Sequence, residues 1–268
     1  MTPSLDRIAT ATREWLAGAS RPLILGLCGA QGSGKSTLAA GLQALMEQDG
    51  RRTATLSLDD LYLDRAARTR LADMVHPLFR TRGVPGTHEV ARGIAICEAV
   101  KSGAPVLLPR FDKGRDEPCA DGEAIAGPID LLIFEGWCIG ARPQPEADLA
   151  VPVNALERDE DPDGIWRRQV NRQLHGPYAE LFGWIDRLAL LAAPDFAVVR
   201  GWRGQQEESL RAQQGDAASR AMDAAQLDRF VQHYERLTRH ILVEMPGRAD
   251  LTLSLDRDRQ LMIASTHA

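Results

Sequence analysis

The chain has 268 residues, 44% of them hydrophobic, and a formal net charge of −5. That length supports one large α/β domain with a substantial core, and the acidic balance speaks against a nucleic-acid binder, which ordinarily carries a basic face. No segment approaches the length needed to span a bilayer, and residues 1–20, with Asp6 and Glu14 and no unbroken apolar run, read as neither a secretory signal nor an anchor.

In chain order, Leu5, Ile8, Ala9, Trp15 and Leu16 recur at helical spacing and predict a leading helix. Pro22 to Cys28 is a short apolar run closed by a glycine-rich turn, the pattern of a buried parallel strand. Leu38, Leu42, Leu45 and Met46 return to helical period, with Gly50 as the stop. Thr53 to Leu58 reads as a second strand that ends in Asp59-Asp60. Arg65 to Asp73 is helix-compatible. His76 to His88 is a loop because it holds Pro77, Gly83, Pro85 and Gly86, and Glu89 to Lys101 is helical again. Val106 to Leu108 is a short strand, and Phe111 to Gly127 is polar, irregular and too long for an idle connection. Asp130 to Phe134 reads as a central strand and Asp148 to Val153 as another. Asp161 and Pro162 suit the cap and first position of a helix running past Leu174. Ala192 to Val199 is expected to hold the last core strand. Helices are expected over Leu210 to Met222 and Ala225 to Met245, and a terminal hairpin around Asp256 to Arg259. Strands alternating with helices imply a parallel sheet covered on both faces.

The basic residues are lopsided, with three lysines, Lys35, Lys101 and Lys113, against 29 arginines. A retained lysine supplies a compact point charge that a flat guanidinium does not. The cysteines Cys28, Cys97, Cys119 and Cys138 show no metal-ligand spacing and read as reduced thiols of a cytoplasmic protein.

Gly29-Ala30-Gln31-Gly32-Ser33-Gly34-Lys35-Ser36 satisfies G-x-x-x-x-G-K-[ST], after an apolar strand and before an apolar-periodic helix, as the motif requires. Its glycines let the backbone curl so that successive N–H groups face phosphate oxygens, and the positive end of the next helix points to the same place. Residues Gly29 to Thr37 are therefore the expected ATP-binding segment, with Lys35 on the β- and γ-phosphates and Ser36 ligating Mg²⁺. Neither the N-K-x-D of guanine-specific GTPases nor the L-S-G-G-Q of transporter ATPases occurs, which brings kinases to the front. The expected fold is a three-layer α/β sandwich of the P-loop NTPase type, a single domain over residues 1–268 with a helical lid.

Phosphoryl transfer then needs a carboxylate near the attacking hydroxyl. Asp59 and Asp60 lie just past a strand end, on the side of a parallel sheet where ligands bind, with Asp59 the first candidate base and Asp60 the second. Glu135 follows an apolar strand in the Walker B manner, so Ser36, Glu135 and Asp59 form the expected Mg²⁺ set. Arg80, Arg82, His88, Arg110, Lys113 and Arg115 sit in loops that can share a cleft, as an anionic acceptor requires. Arg168 and Arg172 share a helix face, so the segment 155–187 is the expected lid, with Arg168 neutralising the transferring group. Trp137, Trp166 and Tyr178 read as packing residues.

Together the phosphate loop, Leu56-Ser-Leu-Asp-Asp-Leu-Tyr62 and Asp130-Leu-Leu-Ile-Phe-Glu-Gly-Trp137 resemble the uridine kinase, phosphoribulokinase and pantothenate kinase group. Arg82-Gly-Val-Pro-Gly-Thr-His88, Pro109-Arg-Phe-Asp-Lys113, and Trp202-Arg203 followed by Gln206-Glu207 narrow the likeness to plant- and fungal-type D-glycerate 3-kinases and their bacterial relatives. The resemblance implies ATP and Mg²⁺ as cofactors, D-glycerate as acceptor and Asp59 as base. It places the acceptor against loops 76–88 and 109–127, with Asp60, Tyr62, Arg82, His88, Arg110 and Lys113 as its contacts. The sequence departs from that pattern at Gly114-Arg-Asp-Glu-Pro118, where relatives carry a longer serine- and glycine-rich stretch. The rivals are a kinase for a nucleoside, pantothenate or another hydroxy acid, and a nucleotide-binding regulatory protein without an acceptor. The expected partner is a small molecule, with no nucleic acid and no membrane, and the oligomeric state is left open.

Overall fold

The computed structural model describes residues 2–19, 22–214 and 222–266. The elements in order are α1 (Pro3–Ala17), β1 (Leu23–Gly29), α2 (Lys35–Gln48), β2 (Thr53–Ser57), α3 (Arg65–Met74), α4 (Val90–Ser102), β3 (Val106–Leu108), β4 (Phe111–Asp112), β5 (Glu117–Pro118) and β6 (Glu123–Ile125). Then follow β7 (Leu131–Gly136), α5 (Ala155–Glu160), α6 (Ile165–His175), α7 (Pro177–Phe182), β8 (Arg187–Ala192), α8 (Ala197–Gln214), α9 (Ala224–Glu244), β9 (Leu251–Leu255) and β10 (Leu261–Thr266).

Six strands form the main sheet in the order β10-β9-β8-β1-β7-β2. All neighbours pair in parallel except β10, which closes the expected terminal hairpin antiparallel to β9. Alternate residues of each central strand enter opposite layers. Ile24 and Cys28 with Leu132 and Phe134 pack under Ile96 and Val100 of α4, Tyr178 of α7 and Leu237 of α9. Leu25 and Leu27 with Leu131 and Ile133 pack under Ile8 of α1, Leu42 and Met46 of α2 and Val199 of α8. Helices of this length are marginal alone in water, so burial against the sheet holds them. Each fully buried Leu or Ile contributes about 1.5–3 kcal/mol.

Two strand expectations change. Asp148 to Val153 is not a strand: Glu146–Leu149 is a 3₁₀ turn, and Val151 and Val153 are exposed. Pro145 precedes the run and Pro152 lies within it, neither able to donate to a ladder, and the Arg236 guanidinium takes the carbonyls of Asp148 and Val151. The last strand before the helical region is Arg187–Ala192, upstream of the expected Ala192 to Val199. After Pro194, Asp195 accepts a bond from the Val198 N–H at 3.2 Å and turns the chain into α8 instead. Val106–Leu108 is a strand but pairs with β6 in a separate two-stranded ribbon. The remainder of 111–127 is not structureless, because β4 and β5 form a small hairpin.

Asp161 does cap α6, but from outside it. Its carboxylate accepts the N–H groups of Trp166 and Arg167 at 2.8 and 3.2 Å while the helix begins at Ile165. Of the helix expected over 210–222, Gln214 is the last residue in α8, and 215–221 lie outside the described residues. Among the described residues no helix is long and apolar enough to cross a membrane.

Candidate active site

The ends of β1, β2, β7 and β8 point to one edge of the sheet, where ligands bind in open parallel sheets. Gly32 and Gly34 hold φ of 75° and 88°, the left-handed region that lets the loop curl before α2 opens at Lys35. A Cβ on Gly32 would sit 2.6 Å from the Cβ of Trp202, so α8 packs directly on the loop apex. From the other side Arg259, in the β9–β10 turn, stacks 5.1 Å from the Trp202 ring and donates Nε to the Gly32 carbonyl at 2.6 Å.

Strand register brings the carboxylates to this loop. Glu135 lies opposite Leu27 of β1 and Ser57 of β2. Its Oε1 accepts the Ser36 hydroxyl at 3.1 Å, and its Oε2 is buried without a partner. An orphaned carboxylate oxygen beside a hydroxyl on the phosphate loop is the donor set that Mg²⁺ takes.

After Ser57, whose hydroxyl accepts the Asp59 N–H, a 3₁₀ turn over Leu58–Leu61 sends the two aspartates in different directions. Asp59 faces a cavity of about 620 Å³ that also touches Lys35, Ser36, Gln31 and Gly32. Its Oδ1 accepts the Tyr62 hydroxyl at 2.6 Å, and its Oδ2 accepts Lys113 Nζ at 2.5 Å. Burial alone would raise the Asp59 pKa, but Lys113 and Lys35 outweigh it and hold the carboxyl well below the usual range. Tyr62 and Lys113 thus engage its two oxygens, and Asp59 lines the same cavity as Ser36, whose hydroxyl bonds Glu135.

Asp60 points away. It accepts the Phe111 N–H at 3.0 Å and Arg110 at 3.3 Å, tying the β4–β5 hairpin to the 3₁₀ turn. Burial raises its pKa despite these partners. Asp60 and Arg110, expected at the acceptor, are thus anchors of the hairpin, and Arg110 also pairs with Glu123. His88 is likewise corrected. It is 5% exposed, stacked 4.9 Å from Tyr62 and hydrogen-bonded to the Tyr178 hydroxyl. Burial pushes its pKa down to about 3, so it is a neutral packing partner behind Tyr62.

Tyr62, Arg82 and Lys113 do line the cavity. Arg82 is ion-paired with Asp116 and lies 5.9 Å from the Tyr62 ring. Trp137, expected as packing alone, is buried but also contributes to the cavity wall and donates Nε1 to the Gly83 carbonyl at 2.8 Å.

The expected lid does not reach this site. Arg168 pairs with Glu146 at 2.6 Å and donates to the Asp163 carbonyl, and Arg172 bonds Gln169. The cavity wall is completed instead by Arg203 and Gln205 of α8, Phe230 and Tyr234 of α9, and Arg259. Trp202-Arg203 carried a sequence signal, whereas Tyr234 and Arg259 sat unremarked in a helix and a turn. The side chains of Gln206 and Glu207 lie outside the described residues.

No protein-family model matches the chain. It is 34% identical over 243 residues to the uncharacterized kinase mug58 of Schizosaccharomyces pombe, spanning 86% of this chain and 84% of that protein. Over 262 residues it is 29% identical to the chloroplastic D-glycerate 3-kinase of Arabidopsis thaliana, covering 91% of this chain and 55% of that one. The chain belongs to this family of P-loop kinases. The solved D-glycerate 3-kinase from Cryptococcus neoformans shares the fold across the full length of both chains, with a TM-score of 0.83 at 24% identity. The P-loop kinase fold and the family make the chain an ATP-dependent kinase of a small molecule.

Proposed function

We propose that the enzyme, one kinase domain over its length, transfers the γ-phosphoryl group of ATP to the primary hydroxyl of D-glycerate, giving 3-phosphoglycerate. The observation that carries this reading is the placement of an ionised Asp59 across a cavity from Lys35, flanked by the cations Lys113 and Arg82. A carboxylate next to a hydroxyl needs a basic partner close to the base, and Lys113 and Arg82 supply one. Asp59 orients the hydroxyl and receives its proton as the new O–P bond forms. Backbone N–H groups of Gly29 to Thr37 and Lys35 hold the phosphates of ATP in line with it. Ser36 and Glu135 are the residues that would hold Mg²⁺, which when bound offsets phosphate charge. Arg203, on the cavity wall, takes the charge-neutralising role first assigned to Arg168. Free, mostly buried cysteines support a cytoplasmic setting.

The test is ADP release measured with D-glycerate, uridine and pantothenate in parallel, with the phosphorylated position read by NMR. D-glycerate should stimulate release most and give the 3-phosphate. Preference for either rival would remove the acceptor assignment while leaving the kinase intact. Lys35→Ala is the control and should lose turnover by orders of magnitude with the fold retained.

A further inference from the structure

We propose that Lys113 is a latch on the base, closed when no acceptor is present and opened by the acceptor's own carboxylate. This rests on the reading of the acceptor as a small hydroxy acid. The Lys113 ammonium sits 2.5 Å from Asp59 Oδ2 while Tyr62 holds Oδ1 at 2.6 Å. Of the two partners only one is free to leave. Tyr62 is 5% exposed and packed between His88 and Phe111, whereas the Lys113 side chain is 60% exposed on a flexible four-carbon stem.

The hairpin that carries Lys113 is pinned without it. Phe111 N–H bonds Asp60, Asp116 pairs with Arg68 at 2.6 Å and with Arg82, and the Arg115 carbonyl accepts Arg65 at 2.9 Å. Release of Asp59 is therefore a side-chain movement that leaves the loop in place. Arg82 already has Asp116 as its counter-ion, so Lys113 is the cation whose present partner is the base itself.

The chemistry gives the arrangement a purpose. An uncovered carboxylate facing bound ATP accepts a proton from water as readily as from an alcohol, and the product is then inorganic phosphate and ADP. In the productive step the acceptor oxygen bonds to the γ-phosphorus as the bond to the β,γ-bridging oxygen breaks. The hydroxyl proton passes to Asp59, and ADP departs with the electron pair. An incoming carboxylate draws the Lys113 ammonium to itself and frees Oδ2 for its neighbouring hydroxyl. A neutral alcohol has nothing to offer the ammonium, so the same residue selects for acids and suppresses hydrolysis.

The experiment compares acceptor-independent ADP release at saturating ATP for the wild type, Lys113→Met, Lys113→Arg and the double variant Lys113→Met with Asp59→Asn. Lys113→Met should raise hydrolysis about tenfold, the added Asp59→Asn should abolish that gain, and Lys113→Arg should keep hydrolysis low. With D-glycerate, the KM of Lys113→Met should rise about tenfold or more, with a smaller change in kcat. Hydrolysis equal to or below the wild type in Lys113→Met, with only the KM raised, overturns the latch and leaves Lys113 a plain acceptor ligand. Absence of D-glycerate-dependent release in the wild type would instead remove the acceptor reading, and the hydrolysis comparison still decides the latch.

Discussion

Asp59 and Asp60 are adjacent in the chain and opposite in fate. A 3₁₀ turn rotates successive side chains by about a third of a circle, so one carboxylate enters the cavity and its neighbour is spent on the Phe111 N–H. Asp59→Asn keeps the shape and removes the base, and kcat should fall by about 10²- to 10⁴-fold with little change in the KM for ATP. The pH profile follows from the depressed pKa. Asp59 is ionised above that value, so kcat/KM should stay flat through the ordinary carboxylate range and fall only in stronger acid. In Lys113→Met the lowering influence of the ammonium is gone, and the acid limb should move to higher pH. A limb already within the ordinary carboxylate range in the wild type would contradict the ion pair. The motif consensus picked out Lys35, Ser36 and Glu135 because motif position fixes where a residue lies, and Lys35 and Ser36 do line the cavity, with Ser36 bonded to Glu135. His88 and Arg110 were misjudged because their charge and loop setting say nothing of which way they face.

At the scale of elements, the phosphate loop is braced from two segments far away in sequence. Trp202 at the head of α8 fills the space over Gly32, donating Nε1 to the Arg257 carbonyl at 2.8 Å, and Arg259 closes on the Gly32 carbonyl. The β9–β10 hairpin is therefore a brace of the Gly29–Ser36 loop as well as an edge of the sheet. Arg259→Ala should raise the KM for ATP about tenfold, with a loss of no more than about 1–3 kcal/mol in stability. An unchanged KM would show that the loop keeps its shape unaided. The hairpin itself was legible from two apolar runs around Asp256 to Arg259. Its contact with Gly32 was not, because 227 residues of chain separate the partners.

Across the whole molecule, the helical region after α4 is tied together by buried charge. Arg236 of α9, in the second helical layer, is 9% exposed and makes a bidentate pair with Glu157 of α5, at 2.7 Å through both Nε and Nη2. Glu157 is fully buried. Removing one partner leaves an uncompensated buried cation, so Glu157→Ala should cost about 3–5 kcal/mol in urea unfolding while barely changing kcat for the fraction still folded. A loss below about 1 kcal/mol would mean that the carbonyls of Asp148 and Val151 alone satisfy the guanidinium. The same network fits the irregular course of 148–153, read as a strand from its apolar residues: the carbonyls of Asp148 and Val151 accept from Arg236 instead of from a neighbouring strand.

Linear pattern was enough to specify the three-layer sandwich, the phosphate loop, the Glu135 carboxylate near the end of β7 and the aspartate pair just past β2. Each depends on interactions within a few residues or on a two- or 3.6-residue period. The three-dimensional arrangement settled which aspartate faces the cavity, that Lys113 closes on it, and that Arg203 and Arg259 rather than Arg168 line that cavity. Those outcomes rest on the direction of single side chains and on contacts between segments distant along the chain, and a linear pattern carries neither.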